Sequence, residues 1–178
     1  MRRGAVFLDK DGTLVVDVPY SAETGKITFY EGVRESLEEI RDLGYDFFIV
    51  SNQPGLGLGL ISPSNFRTVM DFFHRFFRGI GIPLRKFYFC PHSEDCTMAK
   101  PSPGFLLRAS RDFGIDLRSS WMIGDILNDT EAGNRAGCRT VLIDNGNETE
   151  WAGGAFREPD FSVGTFREAA DVILGSRV

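Results

Sequence analysis

The chain has 178 residues, 42% hydrophobic and 25% charged, with a formal net charge of -5. That length suits one domain spanning residues 1–178 with a sizeable core, and the acidic balance argues against a nucleic-acid binder. No apolar stretch approaches a membrane span, Met1-Arg2-Arg3 leaves no room for a signal peptide before the first apolar run, and three cysteines without a dense framework suit a reducing compartment. A cytoplasmic protein is expected, acting as a monomer, with no membrane or nucleic-acid partner.

Ala5 to Leu8 is short, uncharged and rich in branched or aromatic residues, which predicts a buried strand. It delivers Asp9-Lys10-Asp11-Gly12-Thr13-Leu14, two carboxylates followed by a glycine that lets the backbone turn. A polar loop runs from Asp17 to Thr28. Val33, Leu37, Ile40 and Leu43 have helical spacing, and Gly44 suits the helix end. Asp46 to Val50 reads as a second strand ending in Ser51-Asn52-Gln53, followed by a glycine-rich loop, Pro54 to Leu60. Ser62-Pro63 is a helix start, with a capping oxygen before proline. That helix carries Phe66, Val69, Met70, Phe73 and Phe77 toward Gly79.

Phe87 to Cys90 is a third strand, leading through Pro91-His92 to Lys100-Pro101-Ser102-Pro103-Gly104 and a helix from Phe105 to Phe113. Trp121 to Ile123 is a fourth strand, running into Gly124-Asp125. A short helix follows, from Asp129 or Thr130 to Ala136, and then a fifth strand, Thr140 to Ile143. Asp144 to Asp160, rich in glycine and polar residues, is expected to be the mobile segment. Phe166 to Leu174 closes the chain as a helix. Strand–helix alternation of this kind predicts a three-layer, Rossmann-like α/β fold: a mainly parallel sheet with helices on both faces. Ligands in such folds bind beyond the C-terminal strand ends. Asp9, Ser51 and Asp125 each follow a predicted strand and so meet on one edge.

Carboxylates gathered there repel: at an effective dielectric of 20, two charges about 4 Å apart cost roughly 4 kcal/mol. A divalent cation removes the conflict, and oxygen ligands beside a phosphate suit Mg²⁺. Asp9, Asp11 and Asp125 are the candidate ligands. Asp129 either reaches the site through water or caps its helix. Asp9 could then attack phosphorus, Ser51 and Lys100 could hold phosphoryl oxygens, and Asp11 could protonate the leaving alkoxide and then deprotonate water.

The order DKDGT at Asp9, SNQ at Ser51, KPSPG at Lys100 and GDILND at Asp125 resembles the haloacid dehalogenase-like (HAD) phosphohydrolases, from Phe7 to about Ile143. Val16-Asp17 with Tyr20, Ser-Asn-Gln-Pro-Gly, and Cys-Pro-His before Lys-Pro-x-Pro-Gly are similar to the D-glycero-D-manno-heptose 1,7-bisphosphate phosphatases and their histidinol-phosphate phosphatase relatives. The resemblance implies release of phosphate from a small phosphorylated sugar, with Asp9 as nucleophile and Asp11 as acid/base. It implies Ser51 and Lys100 as phosphoryl stabilisers, Asn52 and Gln53 as substrate contacts, Asp17 to Tyr20 facing the substrate, and Asp125 as a Mg²⁺ ligand. The chain departs from that pattern in three places. Cys90, His92 and Cys96 match three of the family's four zinc ligands, but Met98 stands at the fourth, and a thioether is a poor Zn²⁺ ligand. That leaves either an open three-ligand zinc site or a loop held by ordinary packing. Ala99 replaces an arginine that helps choose the substrate, and Ile126 replaces a lysine, which weakens the case for a bisphosphate. Lys10 is retained.

No segment is long enough for a large cap domain. The alternatives are a phosphatase for histidinol phosphate or another small ester, a phospho-accepting signalling domain, and a non-catalytic phosphate binder. Asp11 counts against the signalling domain, since a slow switch needs no second acid beside its nucleophile.

Overall fold

A computed structural model describes residues 3–92 and 96–176. Among these, six strands form one sheet: β1 (Ala5–Leu8), β2 (Asp46–Asn52), β3 (Leu84–Cys90), β4 (Trp121–Gly124), β5 (Arg139–Ile143) and β6 (Phe161–Val163). The order is β3-β2-β1-β4-β5-β6, and every neighbouring pair is parallel. Leu8 lies opposite Ile49 on one side and Ile123 on the other, so the strands flanking β1 end level with it. The strand order reverses between β1 and β4, the position at which an open α/β sheet leaves a crevice.

Alternation along the strands fills both faces. Val6, Leu8, Phe47, Ile49 and Ile123 meet helices α1 (Val33–Asp42), α3 (Pro63–Gly79) and α6 (Phe166–Gly175). Ala5, Phe7, Phe48, Val50 and Met122 meet α4 (Gly104–Phe113). Helix α5 (Leu127–Ala136) packs beside α4, against β4 and β5. A short α2 (Pro54–Gly57) lies inside the expected glycine-rich loop. On α3 the aromatic stripe is the buried face: Phe66 and Phe73 stand 6.0 and 5.8 Å from the Phe87 ring, and Phe77 stands 6.3 Å from Phe47. Such rings contribute their buried area and a further 0.5–1.5 kcal/mol or so per well-placed pair.

Most boundaries shift by a residue or two, and three departures bear on the site or the sheet edges. β3 begins at Leu84 rather than Phe87: Arg85 and Lys86 are exposed on this edge strand, so the strand's first half carries no apolar alternation. α5 begins at Leu127, which puts Asp129 at its third residue rather than at the cap. β6 follows the segment expected to be mobile. It has three residues, none of them buried and too few to show a period. Between β1 and α1 the chain makes a 3₁₀ turn, Thr24–Lys26, and a bridge between Val15 and Phe29, with no cap domain. Among the described residues no helix is long and apolar enough to cross a membrane.

Candidate active site

β1 ends at Leu8, and the Asp9 amide still donates to the Ile123 carbonyl at 3.0 Å, so the first carboxylate leaves the sheet between β1 and β4. The chain then turns at Gly12, which has φ +78°. A Cβ there would run into the Asp125 carboxylate and the Asn147 amide, so the turn requires glycine both for its backbone angle and for its close approach. β4 delivers Asp125 from the other side. A Cβ on Gly124 would likewise overlap the Asp129 carboxylate.

Asp9, Asp125 and Asp129 are all buried, and a carboxylate oxygen from each lies within 4.8 Å of the others. Lys100 Nζ sits between two of them, 2.5 Å from Asp9 Oδ1 and 2.5 Å from Asp129 Oδ1. Asp129 Oδ2 accepts from the Asp125 and Ile126 amides, each at 3.2 Å. It therefore seals the helix start and also faces the lysine directly, where the sequence suggested contact through water or a cap. Thr13 Oγ1 donates to Asp125 Oδ1 at 3.0 Å, and Asn147 Nδ2 donates to Asp125 Oδ2 at 2.8 Å.

Burial sets the electrostatics. Desolvation raises the Asp9 carboxyl well above the ordinary range; Lys100 opposes this, while Asp129, Asp125 and Asp11 add to it. Asp125 is pushed up to about 6, first by burial and then by the Asp129 charge, against the hydrogen bonds from Asn147 and Thr13. Burial works to lower the Lys100 ammonium, but Asp129 and Asp9 outweigh it and hold it above its ordinary value.

Asp11 is not part of that cluster. Its carboxylate is partly exposed, contacts Lys10 Nζ through Oδ1, and accepts from Gln53 Nε2 through Oδ2 at 2.8 Å. As a side-chain metal ligand it is thus displaced from the position the sequence suggested. In the turn it points toward solvent and the cleft while Asp9 points inward. Gln53 Nε2 also donates to Ser51 Oγ at 2.8 Å, tying the buried serine to Asp11. Asn52 Nδ2 donates to the Lys100 carbonyl at 2.9 Å, and Asn52 Oδ1 accepts from the Lys100 amide at 3.1 Å. Gln53 and Asn52, expected to contact substrate, spend these groups on the acid and on the lysine.

A cleft of about 260 Å³ opens beside Asp11, lined by Lys10, Asp17, Tyr20, Asn52 and Gln53 among others. Burial raises the Asp17 carboxyl above its ordinary value. Tyr20 is exposed and has φ +55°, a left-handed conformation unusual for an aromatic residue and typical of a constrained functional loop.

The residues missed at the sequence level lie in the segment after β5. Asn145 Nδ2 donates to the Gly12 carbonyl at 2.7 Å, and the Leu127 amide donates to Glu148 Oε2 at 2.6 Å. With Asn147 on Asp125, these bonds fasten the expected mobile loop to both acidic turns. The run Asn145-Gly146-Asn147 was the available signal, because short amides just beyond a strand end suit the closing of a polar site.

Cys90, His92 and Cys96 also come together, their ligand atoms lying within 4.8 Å. The Cys90 and Cys96 sulfurs lie in contact with each other, beside the His92 ring. Cys138 is a buried free thiol. Met98 packs against α4, where a Cβ on Gly104 would touch its sulfur. Ser93 to Asp95, between two of these residues, lie outside the described chain.

The residues fit one divalent cation. Four carboxylates, Asp9, Asp11, Asp125 and Asp129, face two ammoniums, Lys10 and Lys100, so two negative charges are left uncompensated. Burial first and like charges second raise the carboxyls of Asp9 and Asp125, and a divalent cation would offset both.

A HAD-hydrolase-like family model matches residues 97–169. The D-glycero-beta-D-manno-heptose-1,7-bisphosphate 7-phosphatase of Yersinia pestis is 34% identical over 161 residues, covering 85% of this chain and 86% of its own. The D-glycero-alpha-D-manno-heptose-1,7-bisphosphate 7-phosphatase of Campylobacter jejuni is 34% identical over 158 residues, covering 89% and 91%. The crystal structure of D,D-heptose 1,7-bisphosphate phosphatase from B. bronchiseptica, complexed with magnesium and phosphate, shares the fold with a TM-score of 0.84 at 24% identity, covering 97% of this chain and 98% of that one. With about a third of its residues shared along most of its length, the chain belongs to the heptose-bisphosphate phosphatase family of HAD-like hydrolases.

Proposed function

We propose that the whole chain is one catalytic domain, a Mg²⁺-dependent phosphomonoesterase that removes the 7-phosphate of D-glycero-D-manno-heptose 1,7-bisphosphate. The observation that carries this reading is the buried Lys100 ammonium against Asp9 Oδ1, with Asp125 alongside, at the sheet's switch point. The names of the curated relatives supply the substrate.

Asp9 and Asp125 would hold the ion, with Asp129 behind them. When bound, the ion supplies positive charge to the carboxylates and to the phosphoryl oxygens. Lys100 favours the ionised form of Asp9 against its burial and offers its remaining N–H to a phosphoryl oxygen; Ser51 offers its hydroxyl to another. Asp9 attacks phosphorus, the bond to the sugar oxygen breaks, and protonated Asp11 gives its proton to the departing alkoxide. Asp11, now a carboxylate, takes a proton from water. That water attacks the aspartyl-phosphate, phosphate leaves and the Asp9 carboxylate is restored. Gln53 orients Asp11 throughout. The charge of the substrate confines it to the compartment where it is made, which supports a cytoplasmic location. The steps above need no zinc; Cys90, His92 and Cys96 are the residues that would hold one.

The test is phosphate release from the α- and β-anomers of the bisphosphate, from heptose 7-phosphate and from histidinol phosphate, ranked by kcat/KM with Mg²⁺. A heptose bisphosphate should lead. A histidinol phosphate preference would overturn the substrate assignment, and turnover by Asp9→Asn would overturn the nucleophile.

A further inference from the structure

A larger cleft, of about 430 Å³, lies at the opposite end of the sheet. Arg3, Tyr45, Arg118, Ser119, Trp121 and Arg139 line it, at or just before the N-terminal ends of β1, β2, β4 and β5. The acidic site is at the other ends of these strands: β4 starts at Trp121 in the cleft and finishes at Gly124, just before Asp125.

Three arginines face this cleft, and no carboxylate is among its described lining residues. Eight other arginines of the chain sit within 3.3 Å of a carboxylate oxygen. Among the described residues six arginines form no such pair, and three of the six, Arg3, Arg118 and Arg139, line this one cleft. In a chain of net charge -5, three arginines lining one cleft, with no acid among its described lining residues, favour an anionic ligand. Asp116, the nearest acid in sequence to Arg118, is committed to the Arg118 amide at 3.2 Å and to Ser119 Oγ at 2.8 Å.

The walls are fixed. The Arg139 guanidinium lies 4.1 Å from the centre of the Trp121 ring and 5.4 Å from that of Phe161, so both rings hold it in place. The Trp121 indole donates to the Tyr45 hydroxyl at 3.3 Å. A Cβ on Gly4 would collide with the Ser119 carbonyl, so the two segments meet closely at the floor.

We propose that this cleft is a second binding site, separate from the catalytic centre, that takes a small phosphorylated metabolite of the sugar-phosphate class. Guanidinium forks match phosphate oxygens, and three of them suit a dianion. The volume is that of a small-molecule site. The Ser119 and Ser176 hydroxyls donate to Asp116 Oδ2 and to the Val172 carbonyl, which leaves their oxygens to accept from sugar hydroxyls. A nucleotide fits less well, because Arg139 already covers the Trp121 face on which a base would stack.

The full chain, stripped of metal with EDTA, is titrated at constant ionic strength with glucose 6-phosphate, inorganic phosphate and AMP while the amides of Gly4, Tyr45, Ser119 and Arg139 are followed by NMR. Glucose 6-phosphate should give saturating shifts there, tighter than inorganic phosphate or AMP. The Arg3→Ala/Arg118→Ala variant should weaken that binding about tenfold or more. Both arginines are exposed, so its melting temperature and its Mg²⁺-supported turnover of p-nitrophenyl phosphate should stay within about twofold and a few degrees of wild type. Absence of saturation by any of the three, AMP or inorganic phosphate binding as tightly, or an unchanged affinity in the double variant would overturn the proposal.

Discussion

The Asn52 side chain holds the main chain of Lys100 on both sides, donating to its carbonyl at 2.9 Å and accepting from its amide at 3.1 Å. Residues 48 apart in sequence are thereby fixed to each other, one at the end of β2 and the other in the loop before α4. The lysine's reach to Asp9 depends on where that backbone sits. Asn52→Ala removes both bonds, a cost of about 1–3 kcal/mol in stability. Because misplacement by about 1 Å can cost a hundredfold in rate, kcat should fall by about 10- to 100-fold with KM changed less. A fall in KM-dependent binding alone, with kcat intact, would return Asn52 to the substrate-contact role suggested by the resemblance.

Lys100 separates structural from chemical necessity. Lys100→Met leaves Asp9 and Asp129 buried without their shared cation, which should destabilise the metal-free protein by about 3–5 kcal/mol and abolish measurable turnover. Adding Asp129→Asn removes one orphaned charge while keeping an acceptor for the Asp125 and Ile126 amides. The double variant should recover much of the melting temperature and none of the activity. If activity returns with stability, Lys100 serves only to balance charge.

The raised Asp125 carboxyl makes the metal-free protein sensitive to pH. Between the ordinary value of 3.8 and about 6, the folded state keeps a proton that the unfolded state has lost. Stability therefore falls as pH rises through that window, and above it the loss is complete, at most roughly 3 kcal/mol from this group. Asp9, raised in the same direction, adds to the effect. In EDTA the melting temperature should drop by several degrees between about pH 5 and pH 7.5, and Mg²⁺ should restore more at the higher pH. Asp125→Asn should flatten the EDTA profile and raise its upper end. An unaltered slope in that variant would assign the effect to other groups.

How much of this was legible in the sequence follows from where each signal lies. β1, β2, β4 and β5 are buried on both faces, so their apolar runs stand out, and the carboxylates that follow two of them locate the site. Edge strands carry less. β3 opens with Leu84-Arg85-Lys86, and β6 has only three residues, none of them buried, so neither shows a clean period. Asp9, Ser51 and Asp125 could be singled out because each follows a predicted strand, and Lys100 through the order of the motifs. The partners of Asn52, Gln53 and Asp129 could not, since hydrogen bonds across 42 to 48 residues or back onto a helix start leave no periodicity. Asp144 to Asp160 looked mobile from its glycines, yet its amides and its glutamate close onto Gly12, Asp125 and Leu127. Composition reports what a segment lacks in apolar burial, not what polar contacts it finds.

That loop yields the last prediction. Asn147 Nδ2 holds one oxygen of Asp125 at 2.8 Å while Thr13 holds the other at 3.0 Å, fixing the plane of the carboxylate that would meet the ion. Groups behind a metal ligand typically contribute 10- to 100-fold in affinity. Asn147→Ala should therefore raise the Mg²⁺ concentration for half-maximal activity by about tenfold, with kcat at saturating Mg²⁺ within about threefold of wild type. Asn145 anchors the same loop to the Gly12 carbonyl, away from the carboxylate. Asn145→Ala should loosen the segment, seen as faster hydrogen exchange at residues 145 to 148, with a smaller effect on the Mg²⁺ requirement. Equal Mg²⁺ shifts in the two variants would mean that the loop acts through its overall position, and that the Asn147 bond does not by itself orient Asp125.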